Sequence, residues 1–279
     1  MRLQVIGDPV LHSKSPAIHG AMLGALGLDV PYDAKVVRRG ELPEYLRWAG
    51  ENGVTGFNAT MPHKEDLIPL LAEVDPAAKA VGAVNTVCLR NGKWVGFNTD
   101  GAGAVAALRD GLGLDPAGFT VTLLGAGGAA KAVALALAQA GAARVWVCNR
   151  TLSRAESLCA HDPLGRLAPA GFEPGALSGF AARSQLLVNC TNLGMAGCAH
   201  QFEDFSFLDA LPAGAGVFDV IYHPARTELL ARAEGRGLRT LNGLPMLVNQ
   251  AVLALERFLD RPLDRKTMAA AAAGALAQK

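Results

Sequence analysis

The sequence predicts an α/β protein: an N-terminal mixed-sheet α/β unit, then a doubly wound parallel-sheet unit, with C-terminal helices returning to the first. Three observations predict it. Apolar strand-like runs alternate with helical patterns along most of the chain. A hairpin signal, Asn91-Gly92, breaks that alternation inside the first part. A glycine-rich turn at 125–128 joins an apolar strand to a long apolar helix in the second part. The chain has 279 residues, a length that fits two domains. Apolar residues make up 51%, enough to fill a core in each. The expected units are 1–102, completed by 244–279, and 103–243.

The elements follow in order. Residues 3–6 read as a strand ended by Gly7-Asp8-Pro9. Pro16 opens a helix with Ile18, Met22, Leu23 and Leu26 on one face and Gly27 as its stop. Residues 30–37 read as a strand, 42–49 as a helix and 56–59 as a short strand. Pro62 suits the first turn of a helix carrying Lys64 through Leu71. Runs 83–89 and 94–97 flank the hairpin turn, which makes this sheet mixed. The second rhythm begins with a helix at 104–112, a buried parallel strand at 119–124 and a helix ending near Ala140. Strand 144–148, helix 152–159, strand 186–190, strand 217–220 and helix 227–234 continue it. Helices 244–259 and 266–276 do not continue a βα series and are assigned to the first unit.

Composition narrows the function. Lys and Arg total 26 against 25 Asp and Glu, so the net charge of +1 argues against nucleic acid or an anionic membrane as the main partner. The 32 glycines exceed the average share of about 7%, which points to tight turns and close backbone approach to a ligand. The opening MRLQVIGDPV lacks the apolar core of a signal peptide. The longest apolar stretches, 132–137 and 268–277, fall short of the ~20 residues that span a bilayer. The cysteines, Cys88, Cys148, Cys159, Cys190 and Cys198, are odd in number and form no C-x-x-C, and the histidines form no H-E-x-x-H. A cytoplasmic protein without a metal, acting on a small molecule, is expected. Monomer and homodimer both remain open.

Gly125-Ala126-Gly127-Gly128-Ala129-Ala130 has the form G-x-G-x-x-A, after a strand and before a helix. Gly125 permits the tight turn, Gly127 lets backbone approach a pyrophosphate, and Ala130 allows helix to pack on strand. The helix start offers N–H groups and partial positive charge to phosphates. These features predict a Rossmann-like dinucleotide site. The following strand ends in Asn149-Arg150-Thr151, with Arg154 one turn on and no Asp or Glu. Guanidinium forks and a hydroxyl suit a 2′-phosphate, so NADP(H) is the expected cofactor. A solvated helix face is the other reading of the two arginines.

Four polar clusters sit at element ends in the first unit: HSKSP at 12–16, NATMPHK at 58–64, GAVNT at 82–86 and NTD at 98–100. Ligands of open α/β sheets bind at strand carboxyl ends, so such clusters converge on one cleft. Serine hydroxyls suit a carboxylate, Asn and Thr suit ring hydroxyls, and Lys64 with Asp100 suits acid–base chemistry. Each residue also has a structural reading. Ser13, Ser15 and Asp100 suit helix caps, and Asn85 and Thr86 suit backbone pairing.

These clusters, with GAGGAAKAV, NRTLSRA, NCTNLGM, DVIYHP and GLPMLVNQA further on, resemble the shikimate dehydrogenase family in the same order, over about 5–259. The resemblance implies a two-domain enzyme of aromatic (chorismate) biosynthesis that reversibly reduces 3-dehydroshikimate to shikimate with NADPH. It implies that Ser13 and Ser15 hold the substrate carboxylate, with Tyr222 close to the same group. Thr60, Asn85 and Gln250 match hydroxyl-binding positions, and Lys64 and Asp100 match the catalytic pair. Gly125, Ala126, Gly127, Gly128 and Ala129 match the cofactor loop. Asn149, Arg150, Thr151 and Arg154 match the 2′-phosphate clamp. Thr191, Val220 and Gly243 match positions near the ribose–nicotinamide half. Gly20 after His19, and Ala59 within Asn58-Ala59-Thr60, depart from the family pattern, as does the stretch 196–207. The same fold acting on quinate or an aminoshikimate-type substrate, and a non-catalytic NADP-binding module, are the alternatives.

Overall fold

The opening run Arg2–Gly7 forms β1 because its residues suit a strand covered on both faces. Leu3, Val5 and Ile6 are buried, and so is Gln4, whose amide oxygen accepts from the Tyr45 hydroxyl at 3.0 Å. The computed structural model describes residues 1–277. Helix α1 (Ser15–Ala25) follows with Pro16 in its first turn, then β2 (Tyr32–Val36), α2 (Leu42–Glu51) and β3 (Val54–Ala59). Next come β4 (Glu73–Val74), α3 (Pro76–Val81), β5 (Thr86–Arg90) and β6 (Lys93–Phe97). The sheet order is β2-β1-β3-β5-β6-β4. β1 pairs in parallel with β2 and β3, while β5 runs antiparallel to β3 and β6, so the sheet is mixed as expected.

The helix expected over 62–71 does not form. The segment makes turns and only a short 3₁₀ piece, Ile68–Leu70. Pro69 has no N–H to donate and restrains Ile68, so a helix cannot propagate through it. The Lys64 carbonyl instead accepts from Val84 N at 2.7 Å, which ties the segment to the start of β5. α3 was not expected, although its signals are ordinary. Asp75 caps Ala77 N at 2.9 Å, Pro76 opens the helix and Gly82 closes it.

The second unit contains α4 (Asp100–Leu112), β7 (Thr120–Leu124), α5 (Gly128–Gln139), β8 (Arg144–Cys148), α6 (Leu152–Cys159) and β9 (Leu167–Ala170). It continues with α7 (Pro174–Ala181), β10 (Leu186–Asn189), β11 (Gly216–Asp219), α8 (Glu228–Gly235) and β12 (Arg239–Leu241). Its sheet is fully parallel in the order β12-β11-β10-β7-β8-β9. β10 and β11 are buried at every position, the pattern of strands covered on both sides by helices. β9, α7 and β12 were not foreseen. β9 contains Pro169 and lies at the sheet edge, where a missing donor is tolerated. The atypical stretch 196–207 is anchored by Phe202, Phe205 and Phe207, which are buried in this unit's core with Leu208 and Leu229.

Helices α9 (Leu244–Leu259) and α10 (Arg265–Ala277) end the chain. Contacts divide the molecule into Met1–Thr99 with the chain from Val248 onward, and Asp100–Leu247. Within the first of these, α10 packs on α1, and Phe258 of α9 lies against Gly56 of β3. No helix among the described residues is long and apolar enough to cross a membrane.

Candidate active site

In the first unit, sheet order decides where the polar residues meet. β1 sends the chain outward to β2 on one side and pairs with β3 on the other, so the order reverses between β1 and β3. The loops leaving the carboxyl ends of these strands carry Ser13 and Ser15, and Thr60 and Lys64. They are joined where Asp8 N donates to Met61 O at 3.0 Å and Thr60 N to Ile6 O at 3.0 Å. β5 is antiparallel to β3, with Asn58 opposite Thr86, so Asn85 arrives at the same sheet end. Thr86 is opposite Phe97 of β6, which brings Thr99 there too.

A chain of buried hydrogen bonds runs through this end. The Tyr32 hydroxyl donates to Asn58 Oδ1 at 2.7 Å. Asn58 Nδ2 donates to Asn85 O at 3.1 Å and Thr86 Oγ1 at 3.0 Å. Asn85 Oδ1 accepts from Thr86 Oγ1 and Thr99 N, each at 2.9 Å. That leaves Asn85 Nδ2 as the donor, to Thr99 Oγ1 at 3.0 Å and to Gln250 Oε1 of α9 at 3.5 Å. Asn85 therefore has the structural role that its type allows, and the network orients its amide for a ligand as well. Ser13 is partly cap-like: its Oγ accepts from Ser15 N at 3.2 Å, which leaves the O–H proton as a donor. The N-cap of α1 is Lys14, which makes no side-chain cap bond. Lys64 is half-buried in a loop. His63, expected at a rim or in solvent, is instead buried, with Nε2 2.7 Å from Val37 O.

In the second unit the order reverses between β7 and β10. The glycine loop leaves β7, and Cys190 and Thr191 follow β10. Gly125 has φ +105, and a Cβ there would lie 3.1 Å from Cys190 O, so only glycine suits this turn. Ala126 is half-buried, while Gly127, Gly128 and Ala129 are exposed at the start of α5, whose N-cap Gly127 makes no side-chain bond. A cavity of about 220 Å³ opens there, lined by Gly125, Gly127, Asn149, Arg150, Phe172 and Thr191 among others. Asn149 Nδ2 donates to Thr151 O at 2.8 Å and so shapes the loop after β8. Thr151 is the N-cap of α6 without a side-chain cap bond, and it and Arg154 are exposed and do not line the cavity. A second cavity of about 290 Å³ shares Arg150, Phe172 and Leu193 and is bordered by His200 and Gln201 of the atypical stretch.

Asp219 organises the remaining positions. It is buried, and its carboxylate accepts from Thr227 Oγ1 at 2.6 Å, Asn189 Nδ2 at 3.0 Å and Ile221 N at 3.1 Å. Burial pushes this carboxyl up from its ordinary range, against the pull of those hydrogen bonds. Asn189 Oδ1 in turn accepts from Thr191 N at 3.0 Å and Thr191 Oγ1 at 2.7 Å. Val220 and Gly243 are brought together: a Cβ on Gly243 would lie 1.9 Å from Val220 O. Tyr222 is exposed, and Asp100 begins α4. Burial pushes the Cys148 thiol up to about 12 and the Cys190 thiol higher still, which excludes either as a nucleophile. Tyr32, Asn58, Thr99, Phe172 and Asp219 received no site role from the sequence. Asn58 and Thr99 lay inside recognised clusters, whereas Phe172 follows a strand that was not foreseen.

The donor-rich, acid-free lining beside Arg150, the glycine turn at a topological switch point and the separate mixed-sheet unit define the class. It is that of two-unit dinucleotide-binding α/β proteins. Comparison with known proteins narrows it. Residues 5–87 match the family described as "Shikimate dehydrogenase substrate binding domain". Residues 112–164 match "Shikimate / quinate 5-dehydrogenase" and 243–273 match "Shikimate 5'-dehydrogenase C-terminal domain". A shikimate dehydrogenase (NADP(+)) of Alkaliphilus metalliredigens is 40% identical over 266 residues, covering 93% of this chain and 92% of that one. A Thermus thermophilus shikimate 5-dehydrogenase solved with NADP(H) and shikimate superposes with TM-score 0.83 at 37% identity, over 99% of each chain. A Corynebacterium glutamicum quinate dehydrogenase solved with NAD superposes with TM-score 0.86 at 32% identity, over 97% and 98%. The chain belongs to the shikimate dehydrogenase family.

Proposed function

We propose that this protein is an NADP-dependent shikimate dehydrogenase, which reversibly reduces 3-dehydroshikimate to shikimate in aromatic amino acid (chorismate) biosynthesis. It acts in the cytoplasm as a monomer or homodimer, in units close to 1–102 with 244–279 and 103–243. The observation that carries the reading is the 40% identity, over nearly the whole chain, to a relative of that activity. The cavity beside Arg150 supports the cofactor: its glycine turn leaves room for a pyrophosphate, and no carboxylate stands at the end of β8 to repel a 2′-phosphate.

Gly125, Ala126, Gly127, Gly128 and Ala129 hold the pyrophosphate through backbone N–H groups. Arg150, Arg154 and Thr151 clamp the 2′-phosphate beside Asn149. Thr191, Val220 and Gly243 line the ribose–nicotinamide half. When bound, NADPH supplies the hydride. The substrate carboxylate is held by Ser13 and Ser15, with Tyr222 contributing its hydroxyl. Thr60, Asn85 and Gln250 bind ring hydroxyls. Lys64 Nζ gives its proton to the ketone oxygen during reduction and takes it back during oxidation, and Asp100 orients Lys64 and a neighbouring hydroxyl.

Replacement of the proton donor tests this reading. Lys64→Ala is expected to lower kcat by about 10²- to 10⁴-fold, the usual worth of general acid–base catalysis, with shikimate affinity within several-fold. Turnover close to that of the unaltered protein removes Lys64 from the mechanism.

A further inference from the structure

The chain of hydrogen bonds in the first unit does not begin at Asn58. It begins one step earlier, at a residue to which neither motif nor family description gives a role. Tyr32 opens β2 and is 8% exposed. Its ring is clamped flat: His19 of α1 stacks on it at 4.2 Å between centroids, with an interplanar angle of 4°. Phe258 supports His19 from the other side at 5.9 Å. The phenol therefore has one place to be, and at that place it meets two polar side chains from different elements. It donates to Asn58 Oδ1 of β3 at 2.7 Å, and it is hydrogen-bonded to the hydroxyl of Ser15 at the start of α1.

The proton count fixes the direction of these bonds. Asn58 Nδ2 is committed to Asn85 O and Thr86 Oγ1, so its amide oxygen must face Tyr32. The single phenol proton goes to that oxygen. Ser15 accordingly donates to the phenol oxygen, which places Ser15 Oγ and directs its proton. Burial pushes the phenol well above its ordinary pKa, so it stays a donor across the working range of pH.

We propose that Tyr32 is a positioning residue: its clamped phenol ties Ser15 of α1 to Asn58 of β3. It thereby holds the carboxylate-binding hydroxyl in register with the Asn85 amide that binds the substrate's ring hydroxyls. The hydrogen-bonded line then runs from Ser15 through Tyr32, Asn58, Thr86 and Asn85 to Thr99 and Gln250. Preorganisation of this kind tightens substrate binding without touching the reacting atoms. The proposal rests on the assignment of Ser15 and Asn85 to the substrate.

Tyr32→Phe removes one oxygen and keeps the ring that His19 stacks on. Shikimate is titrated calorimetrically into the full-length protein, Tyr32→Phe, Ser15→Ala and the double variant, and kcat, NADP⁺ affinity and melting temperature are measured alongside. Tyr32→Phe is expected to weaken shikimate binding by about tenfold, with kcat within about twofold and NADP⁺ affinity unchanged. In the Ser15→Ala background the same change is expected to add little, because the phenol acts through Ser15. Unchanged affinity in Tyr32→Phe, an equal loss in both backgrounds, or loss of the cooperative melt overturns the positioning role while leaving the proposed function standing. An unaltered protein that neither binds nor oxidises shikimate overturns the function, and the role of Tyr32 with it.

Discussion

His19 is a histidine with no polar company. It is 1% exposed, both ring nitrogens are buried without a hydrogen-bond partner, and it stacks on Tyr32. Burial lowers its pKa from 6.5 to about 3. The folded state therefore holds the ring neutral where the unfolded chain would protonate it. The stability this contributes is complete above pH 6.5 and is lost as pH falls from 6.5 toward 3, at about 1.4 kcal/mol per pH unit. His19→Phe keeps a flat ring on Tyr32 and removes both the titration and the orphaned nitrogens. The variant is expected to match or exceed the original stability at pH 7. Between pH 6.5 and 5 the original protein is expected to lose about 2 kcal/mol relative to it, read from urea midpoints at each pH. Parallel pH profiles would show that His19 does not titrate with unfolding. None of this was legible in HSKSPAIH. The burial of His19 depends on Tyr32 and Phe258, which come from distant parts of the chain. His63 illustrates the same limit, since its partner is the carbonyl of Val37 on a neighbouring loop.

At the scale of elements, the loop from β7 to α5 and the end of β8 were the most legible parts. Their function depends on local chemistry: glycine where φ is positive, and arginine where a 2′-phosphate is expected. Arg150→Ala with Arg154→Ala is expected to weaken NADP⁺ binding by about 2–3 kcal/mol, roughly 30- to 150-fold, with NAD⁺ affinity within about twofold. Equal losses for both nucleotides, measured by titration, would place the clamp elsewhere. Elements whose existence depends on distant partners were harder to see. The two-residue β4 forms because β6 is beside it, and β9 because it closes the edge next to β8. Pro169 inside β9 argues against a strand unless the edge position is known. The helix expected over 62–71 was an error of local reading, because Pro69 stood in the sequence to forbid it.

For the whole molecule, period and order carried most of the fold. Two βα rhythms, one hairpin and a helical tail are enough to predict a mixed sheet, a parallel sheet and a chain that returns to its first unit. Strand order was not legible, and it is strand order that brings the polar clusters to one end of the first sheet and the glycine loop beside Thr191 in the second. The family motifs supplied the roles of Ser13, Ser15, Thr60, Lys64 and Asp100, which residue types alone left open between function and capping. The fold itself does not choose the substrate, since a quinate dehydrogenase superposes on this chain as well as a shikimate dehydrogenase does. Quinate differs by an added hydroxyl on the carboxylate-bearing carbon, the kind of difference a pocket rejects only weakly unless its polar groups are held in place. The central measurement is the rate of nicotinamide reduction with shikimate and with quinate, each offered with NADP⁺ and with NAD⁺. The account predicts that shikimate with NADP⁺ gives the highest kcat/KM of the four. Faster oxidation of quinate, preference for NAD⁺, or no turnover in any combination would contradict it.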